Sequence, residues 1–168
     1  VACGDADAMV TGLTRHYHSA LKNISRALSP EQGQRIMGLS AMMARGRTVF
    51  IADTTAHERP TPVELADIAM QAAAKARAMG HEPRVAMLSY SSGESGTGPD
   101  VDRVREATRL VREKRPDLKI EGPIQYDAAV DAACAQLIQA FRQVGEEGAV
   151  AHIQANGDVH DGVVAHLR

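Results

Sequence analysis

From Leu88 to Asp100 the chain reads LSYSSGESGTGPD. Ser89, Ser91, Ser92, Ser95 and Thr97 offer hydroxyls as hydrogen-bond donors and acceptors. Gly93, Gly96 and Gly98 let the backbone turn and approach a ligand closely. The apolar run Val85–Leu88 before this stretch predicts a buried strand. Behind it a helix is expected, which Asp100 can cap and Pro116 closes. A strand, a Ser/Gly loop and a helix in this order put the loop at the carboxyl end of a sheet, where open α/β sheets bind ligands. The helix start adds free N–H groups and a positive dipole end, so the chemistry on offer is anion binding. The stretch is not a Walker A loop, since no Lys follows the glycines, nor a Rossmann fingerprint, since their order is GxxGxG. Glu94 and Asp100 would repel a phosphate unless they point away. The competing reading is a mobile connector.

The elements around the loop follow from periodicity. Residues 1–12 are small and apolar around Asp5 and Asp7, as in a helix end feeding a short strand. Tyr17 to Leu28 carries Ala20, Leu21, Ile24, Ala27 and Leu28 at helical spacing, and Pro30 and Gly33 end that helix. Ile36–Ala44 and Arg47–Ala52 read as paired strands joined at Arg45-Gly46. Thr61-Pro62-Val63-Glu64 is a capping box with Pro at the first helical position. Leu65, Ile68, Ala69, Ala72, Ala76 and Met79 form the apolar stripe behind it, and Gly80 stops the helix. Further along, Leu118–Ile124 predicts a strand, Ala128–Val144 a helix, Ala149–Gln154 a short strand and Val159–Leu167 a last helix. Strand and helix alternate from Thr48 onward. The expected fold is α/β, with a mostly parallel sheet and helices on both faces in three αβα layers.

Composition narrows the function classes. A chain of 168 residues fits one domain. Aromatics make up only 3%, so the core must be built from Ala, Val, Leu, Ile and Met. A net charge of −2 argues against a nucleic-acid binder, which needs clustered Lys and Arg. There is no apolar run long enough for a membrane span and no signal peptide. Cys3 and Cys134 stand far apart, as expected of reduced thiols in a cytoplasmic protein. The chain opens on Val1 rather than Met, as expected of a piece excised from a longer protein.

The stretch HEPRVAMLSYSSGESGTGPDVDRVREATRLVREKRPDLKIEGPIQYDAAVD, His81 to Asp131, resembles bacterial phosphate acetyltransferases. It has their order of strand, Ser/Gly loop, helix and GPxQYDAA. VACGDADAMVTGLTRHY and ARGRTVFIADTTAHERPTPVELADIAMQAAAKARAMGHEPRVA resemble the related carboxyl-terminal domain of large NADP-dependent malic enzymes. The resemblance covers residues 1–131. Residues 132–168 match nothing in the family and are expected to pack on the same domain as a helix, strand and helix. By resemblance, Met9–Arg15 (MVTGLTR) corresponds to the segment leading into the family's phosphate and acyl site. It carries over Thr11, Gly12, Thr14 and Arg15, and a guanidinium at Arg15 suits a phosphate dianion. From the loop, Ser89, Ser91, Ser92, Gly93, Ser95 and Gly96 join the candidate binding residues.

The chain also departs from the family. The segments FPDLNTGN and DLSRG, the second of which carries catalytic Ser and Arg, do not occur in it. The helix HSTADTxRP is replaced by HYHSALKNISRAL. The domain is therefore incomplete relative to the family, one copy does not assemble a full transferase site, and no catalytic residue is assigned. The resemblance implies binding of acetyl-CoA or acetyl phosphate, with coenzyme A as substrate or effector, and acetyl transfer between coenzyme A and phosphate if active. It also implies a homo-oligomer. Two alternatives stand beside this: a regulatory, acetyl-CoA-sensing domain of a malic enzyme without transferase chemistry, and an inert scaffold.

Other constellations carry less. His16 and His18 diverge on a helix, and His160, Asp161 and His166 lie near Asp158 without three or four converging ligands, so no metal is expected. Asp127 beside Tyr126 fits a helix cap or turn. Asp53-Thr54-Thr55 ends a strand and could face the same crevice as the loop. No GxSxG nucleophile elbow occurs. Met42, Met43 and Met70 read as core gap-fillers.

Overall fold

The computed structural model describes residues 1–30, 32–44, 47–53, 56–131, 136 and 163–166. The chain forms two compact units, Val1–Arg35 and Ile36–Arg168.

In the first unit residues 1–16 make turns and no helix or strand, in place of the helix end and strand expected over 1–12. Nearly all of them are exposed, so nothing apolar there organises a regular element. Helix α1, Tyr17–Ala27, matches its prediction to within a residue. His16 precedes it without a side-chain cap, and Leu21, Ile24 and Leu28 are half-buried along its predicted stripe.

The second unit is a five-stranded sheet with helices on both faces. Strands β1 (Leu39–Ala44) and β2 (Arg47–Ala52) pair antiparallel, Leu39 opposite Ala52 and Met43 opposite Thr48. Helix α2 spans Pro62–Ala78, β3 Arg84–Leu88, α3 Pro99–Lys114, β4 Lys119–Ile124, α4 Tyr126–Val130 and β5 Val163–His166. The strand order is β1-β2-β5-β3-β4. Because β5 runs antiparallel to both β2 and β3, these two point the same way, and β4 is parallel to β3. Three strands therefore share one direction, and Ala52, Leu88 and Ile124 end at the same edge of the sheet.

Local chemistry accounts for the elements. Thr61 Oγ1 accepts the Glu64 N–H at 3.3 Å, and a Glu64 carboxylate oxygen accepts the Thr61 N–H at 2.8 Å, so the capping box closes reciprocally. Leu65, Ala66, Ile68, Ala69, Ala72, Ala73 and Ala76 of α2 are buried. So many alanines let α2 lie close to its neighbours without large side chains between them. All but Ala76 pack with Val85 and Met87 of β3 and with Val104, Ala107 and Val111 of α3, while Ala76 meets Phe50 of β2. Fully burying one side chain such as Ile68 or Met87 stabilises by about 2 kcal/mol. The opposite face holds Ala86, Ile124 and Ala128 with Val49, Ile51 and Leu88.

Three expectations change. Val163–His166 is a strand, not part of a last helix: its backbone pairs with β2 on one side and β3 on the other, and that tertiary pairing overrides local preference. Met42 and Met43 are exposed, Met43 by 82%, because β1 is an edge strand; Met70 does pack against the core. Met79 lies just past α2 and is exposed rather than part of the stripe. The Arg45-Gly46 turn, the strand expected over Ala149–Gln154 and nearly all of the helix expected over Ala128–Val144 lie outside the described residues.

Two features of β4 bear on stability. The β3–β4 register shifts between Ala86 and Leu88, so Gly122 and Pro123 together stand opposite Met87. A Cβ on Gly122 would lie 2.4 Å from Met87 Cβ and 2.9 Å from the Met87 carbonyl oxygen, leaving it no room. Gly122→Ala is expected to cost about 3 kcal/mol, read as a lowered denaturant midpoint. Just before β4, the Arg115 guanidinium grips both Asp117 oxygens at 2.8 Å and holds that carboxyl down to about 2. Since the folded value lies below the ordinary one, the pair's contribution is present above the ordinary value and lost as pH falls through about 2. A carbon-detected titration should place the Asp117 midpoint near 2, not near the unperturbed value.

Candidate functional site

Residues 89–98 leave the carboxyl end of β3 and enter α3, as the sequence predicts. They do not form a free connector. The Ser89 N–H donates to the Ile124 carbonyl at 3.0 Å, and the Gly93 N–H to the Pro123 carbonyl at 2.8 Å. The Gln125 N–H donates to Ser92 Oγ at 3.0 Å. These bonds fasten the first half of the loop to the end of β4. The bulge that places Gly122 and Pro123 opposite one residue brings the Pro123 carbonyl within reach.

The second half closes on itself. Ser95 Oγ donates to the Ser92 carbonyl at 2.7 Å and lies 3.0 Å from Ser91 Oγ. Tyr90 reaches across to the Thr97 carbonyl at 3.2 Å. The Arg105 guanidinium, one turn and a half into α3, donates to the Gly93 carbonyl at 3.2 Å and the Gly96 carbonyl at 3.1 Å. Its other nitrogen holds Asp102 at 2.5 Å. Ser89 and Ser92 are buried, and the Ser89 hydroxyl has no hydrogen-bond partner among the described residues.

Gly98, not Asp100, stands at the N-cap of α3, with Pro99 at the first helical position. Asp100 sits within the first turn, where Arg103 holds it at 2.7 Å and Arg59 approaches to 3.8 Å. Glu94 extends into solvent with its side chain 92% exposed and lies 3.8 Å from Arg105. Both carboxylates that could repel an anion are thus paired with guanidinium groups.

Asp53 lies at the same sheet edge, just past β2. It adopts φ 55°, a left-handed conformation that Asp tolerates better than most residues. Its N–H donates to the Gly38 carbonyl at 2.7 Å, and its carboxylate lies 2.6 Å from His57 Nδ1. Thr54 and Thr55 lie outside the described residues. Asp127 is neither a cap nor in a turn: it lies inside α4, whose N-cap is Gln125, and its carboxylate accepts the Ala128 N–H at 2.8 Å.

Of the candidate residues, Ser89, Ser91, Ser92, Gly93, Ser95 and Gly96 are brought together in this loop. Thr11, Gly12, Thr14 and Arg15 belong to the first unit. There Gly12 has φ 129° and Leu13 φ 63°, the Thr14 N–H donates to the Gly12 carbonyl at 2.8 Å, and Thr11, Thr14 and Arg15 are exposed. Sequence reasoning missed Arg105, Gln125 and His57. Arg105 had a signal in its spacing three residues after Asp102 near a helix start. Gln125 stood inside the GPxQYDAA motif, but its role is carried by the backbone N–H, which no side-chain motif encodes.

The model of the family described as phosphate acetyl/butaryl transferase matches residues 1–148. The chain belongs to this family. The match runs past Asp131, where the resemblance read from the sequence ended. The chain is 48% identical over 132 residues to an NADP-dependent malic enzyme of Rhizobium meliloti (strain 1021), covering 79% of this chain and 17% of that protein. To a phosphate acetyltransferase of Nitrosomonas europaea it is 44% identical over 134 residues, covering 79% of this chain and 19% of that protein. It spans about a fifth of the length of these curated relatives. A phosphotransacetylase from Streptococcus pyogenes superposes with a TM-score of 0.69 at 33% identity, over 80% of this chain and 42% of that one. The family assignment and the α/β class of the domain therefore stand on sequence and structure alike.

Gly96 tests the packing of this phosphate acetyl/butaryl transferase loop. A Cβ there would stand 2.3 Å from Ser91 Oγ and 2.5 Å from Ser91 Cβ. Gly96→Ala should displace Ser91 and lower stability by about 1–3 kcal/mol. Adding Ser91→Gly should restore most of that loss in thermal melts.

Proposed function

We propose that this domain binds the phosphate-bearing end of an acyl-CoA or acyl phosphate at the Ser89–Gly98 loop, with acetyl as the acyl group. The observation that carries this reading is the fastening of the loop to the end of β4 by three hydrogen bonds from residues 89–93 to residues 123–125. A connector has no need of such fastening. A ligand loop does, because order present before binding lowers the entropy lost on binding. The reaction that fits is acetyl transfer between coenzyme A and inorganic phosphate. A phosphate oxygen attacks the acetyl carbonyl carbon, the carbon–sulfur bond breaks, and the thiolate leaves. The protein positions the two reactants and stabilises the oxyanion as it develops. Thr11, Gly12, Thr14 and Arg15 are proposed as further phosphate contacts. Coenzyme A is substrate or effector, and the protein works as a homo-oligomer in the cytoplasm.

A second reading has its own support. The identity to the malic enzyme, 48%, exceeds the 44% to the phosphate acetyltransferase. On this reading the domain senses acetyl-CoA for a larger enzyme and performs no transfer.

One experiment separates the readings. Acetyl-CoA binding is measured by calorimetry, and release of coenzyme A from acetyl-CoA in phosphate buffer is followed on the same sample. Binding is the expected result. Turnover excludes the purely sensing reading, binding without turnover selects it, and no binding overturns both. Arg15→Ala is expected to weaken acetyl phosphate binding about tenfold; unchanged affinity removes Arg15 from the site.

A further inference from the structure

We propose that His57, held by Asp53, carries the proton that acetyl transfer has to move between phosphate and the sulfur of coenzyme A. The inference rests on the reading of this domain as one that binds coenzyme A, and it adds the proton carrier which that reaction requires.

The need comes from the balance of the reaction. As an oxygen of hydrogen phosphate bonds to the acetyl carbon, the phosphate gives up its proton. As the carbon–sulfur bond breaks, the sulfur keeps the electron pair and takes a proton to end as a thiol. Both events occur at one carbon, so one basic nitrogen beside it serves both. That nitrogen accepts the phosphate proton, passes it to the sulfur and finishes as it began. In the reverse direction it accepts the thiol proton, frees a thiolate to attack acetyl phosphate and returns the proton to the departing phosphate.

The Asp53–His57 pair has the form of such a group. The Asp53 carboxylate lies 2.6 Å from His57 Nδ1, with the Asp53 side chain 5% exposed and the His57 side chain 26% exposed. A carboxylate only accepts, so Nδ1 carries the proton and Nε2 is left as the basic nitrogen. Nε2 has no hydrogen-bond partner among the described residues. The same carboxylate steadies the ring while Nε2 is protonated. Asp53 is itself fixed, by its left-handed backbone and by the bond from its N–H to the Gly38 carbonyl at 2.7 Å.

The pair also stands in the right place. Asp53 directly follows Ala52, at the edge of the sheet where β3 and β4 end. Two residues beyond His57, Arg59 approaches Asp100 in the first turn of α3 to 3.8 Å. The segment between β2 and α2 is thereby brought alongside the exit of the Ser/Gly loop, and His57 lies in that segment. Glu58 and Arg59, its charged neighbours in the chain, are both exposed, and among the described residues Asp53 holds the one carboxylate on the His57 ring.

A clip that merely closes the turn after β2 uses Nδ1 alone, and this separates the two roles. In His57→Asn the side-chain amide takes the place of Nδ1 and keeps the bond to Asp53, while the basic Nε2 is lost. The test follows the ultraviolet thiolate band of coenzyme A bound to the full chain. Difference spectra against the protein alone cancel the thiols of Cys3 and Cys134, and calorimetry on the same samples reports binding. Bound to the wild type, coenzyme A should hold roughly tenfold more thiolate at neutral pH than it does free, as a thiol beside an imidazolium does. His57→Asn should return it to the free value. Asp53→Asn, which suits the same left-handed backbone, should lose most of the gain. Bound coenzyme A that titrates like free coenzyme A overturns the proposal alone, as does a thiolate gain that survives His57→Asn. A His57→Asn variant that no longer binds coenzyme A makes His57 a binding group and also overturns it. A wild type that does not bind coenzyme A removes the reading of the domain, and this proposal with it.

Discussion

The hydrogen bonds between residues 89–93 and 123–125 are the constraint on which the site depends. Parallel strands put their carboxyl ends at one edge, but that alone leaves the loops emerging there free to move. Here the two exits are bonded to each other. Ser89 and Gly93 donate to carbonyls at the end of β4, and Ser92 accepts from Gln125 in return. The bulge at Gly122 and Pro123 makes this possible by giving β4 one extra residue where β3 has Met87. Gly122 is then pressed against the Met87 side chain and carbonyl, a contact that admits no Cβ. Core packing and loop geometry therefore meet at one residue pair.

The composition of the core serves the same end. With almost no aromatic side chains, the space between helices and sheet is filled by alanines of α2 and by Val and Met from β3 and α3. Small side chains bring backbones close, and close packing resists the small shifts that would misalign a loop. The charged residues lie on the outer faces. Glu106, Arg109 and Glu113 form a ladder along exposed α3, where carboxylates hold the Arg109 guanidinium protonated and Arg109 in turn lowers the Glu106 carboxyl. Such pairs on an exposed face contribute little to stability. They keep the face solvated and leave the inner face of α3, with Val104, Ala107 and Val111, to the sheet.

Much of this fold was legible in the residues because local and tertiary preferences agree. The capping box at Thr61, the stop at Gly80 and the apolar runs at Arg47–Ala52, Val85–Leu88 and Leu118–Ile124 each name one element, and each of these is there. The reading failed where tertiary pairing decides. Val163–His166 carries nothing that distinguishes a strand from a helix end, and its place between β2 and β3 is set by residues far away in sequence. Asp100 looked like a cap, yet Pro99 at the first helical position pushes the cap back to Gly98. The loop itself was visible as a string of hydroxyls and glycines. Its fastening was not, because three of its bonds are made by backbone N–H groups, which every sequence contains.

The same fact changes how the hydroxyls should be weighed. A run of serines beside glycines invites the view that the side chains meet the ligand. In the structure Ser91, Ser92 and Ser95 are engaged with one another and with Gln125. Their hydrogen bonds are spent on the shape of the loop, and Arg105 adds two more bonds to carbonyls on its inner side. The acidic residues fit this arrangement. Asp100 is held by Arg103 and approached by Arg59, and Glu94 lies out in solvent near Arg105, so the loop's own charges are balanced before any ligand arrives.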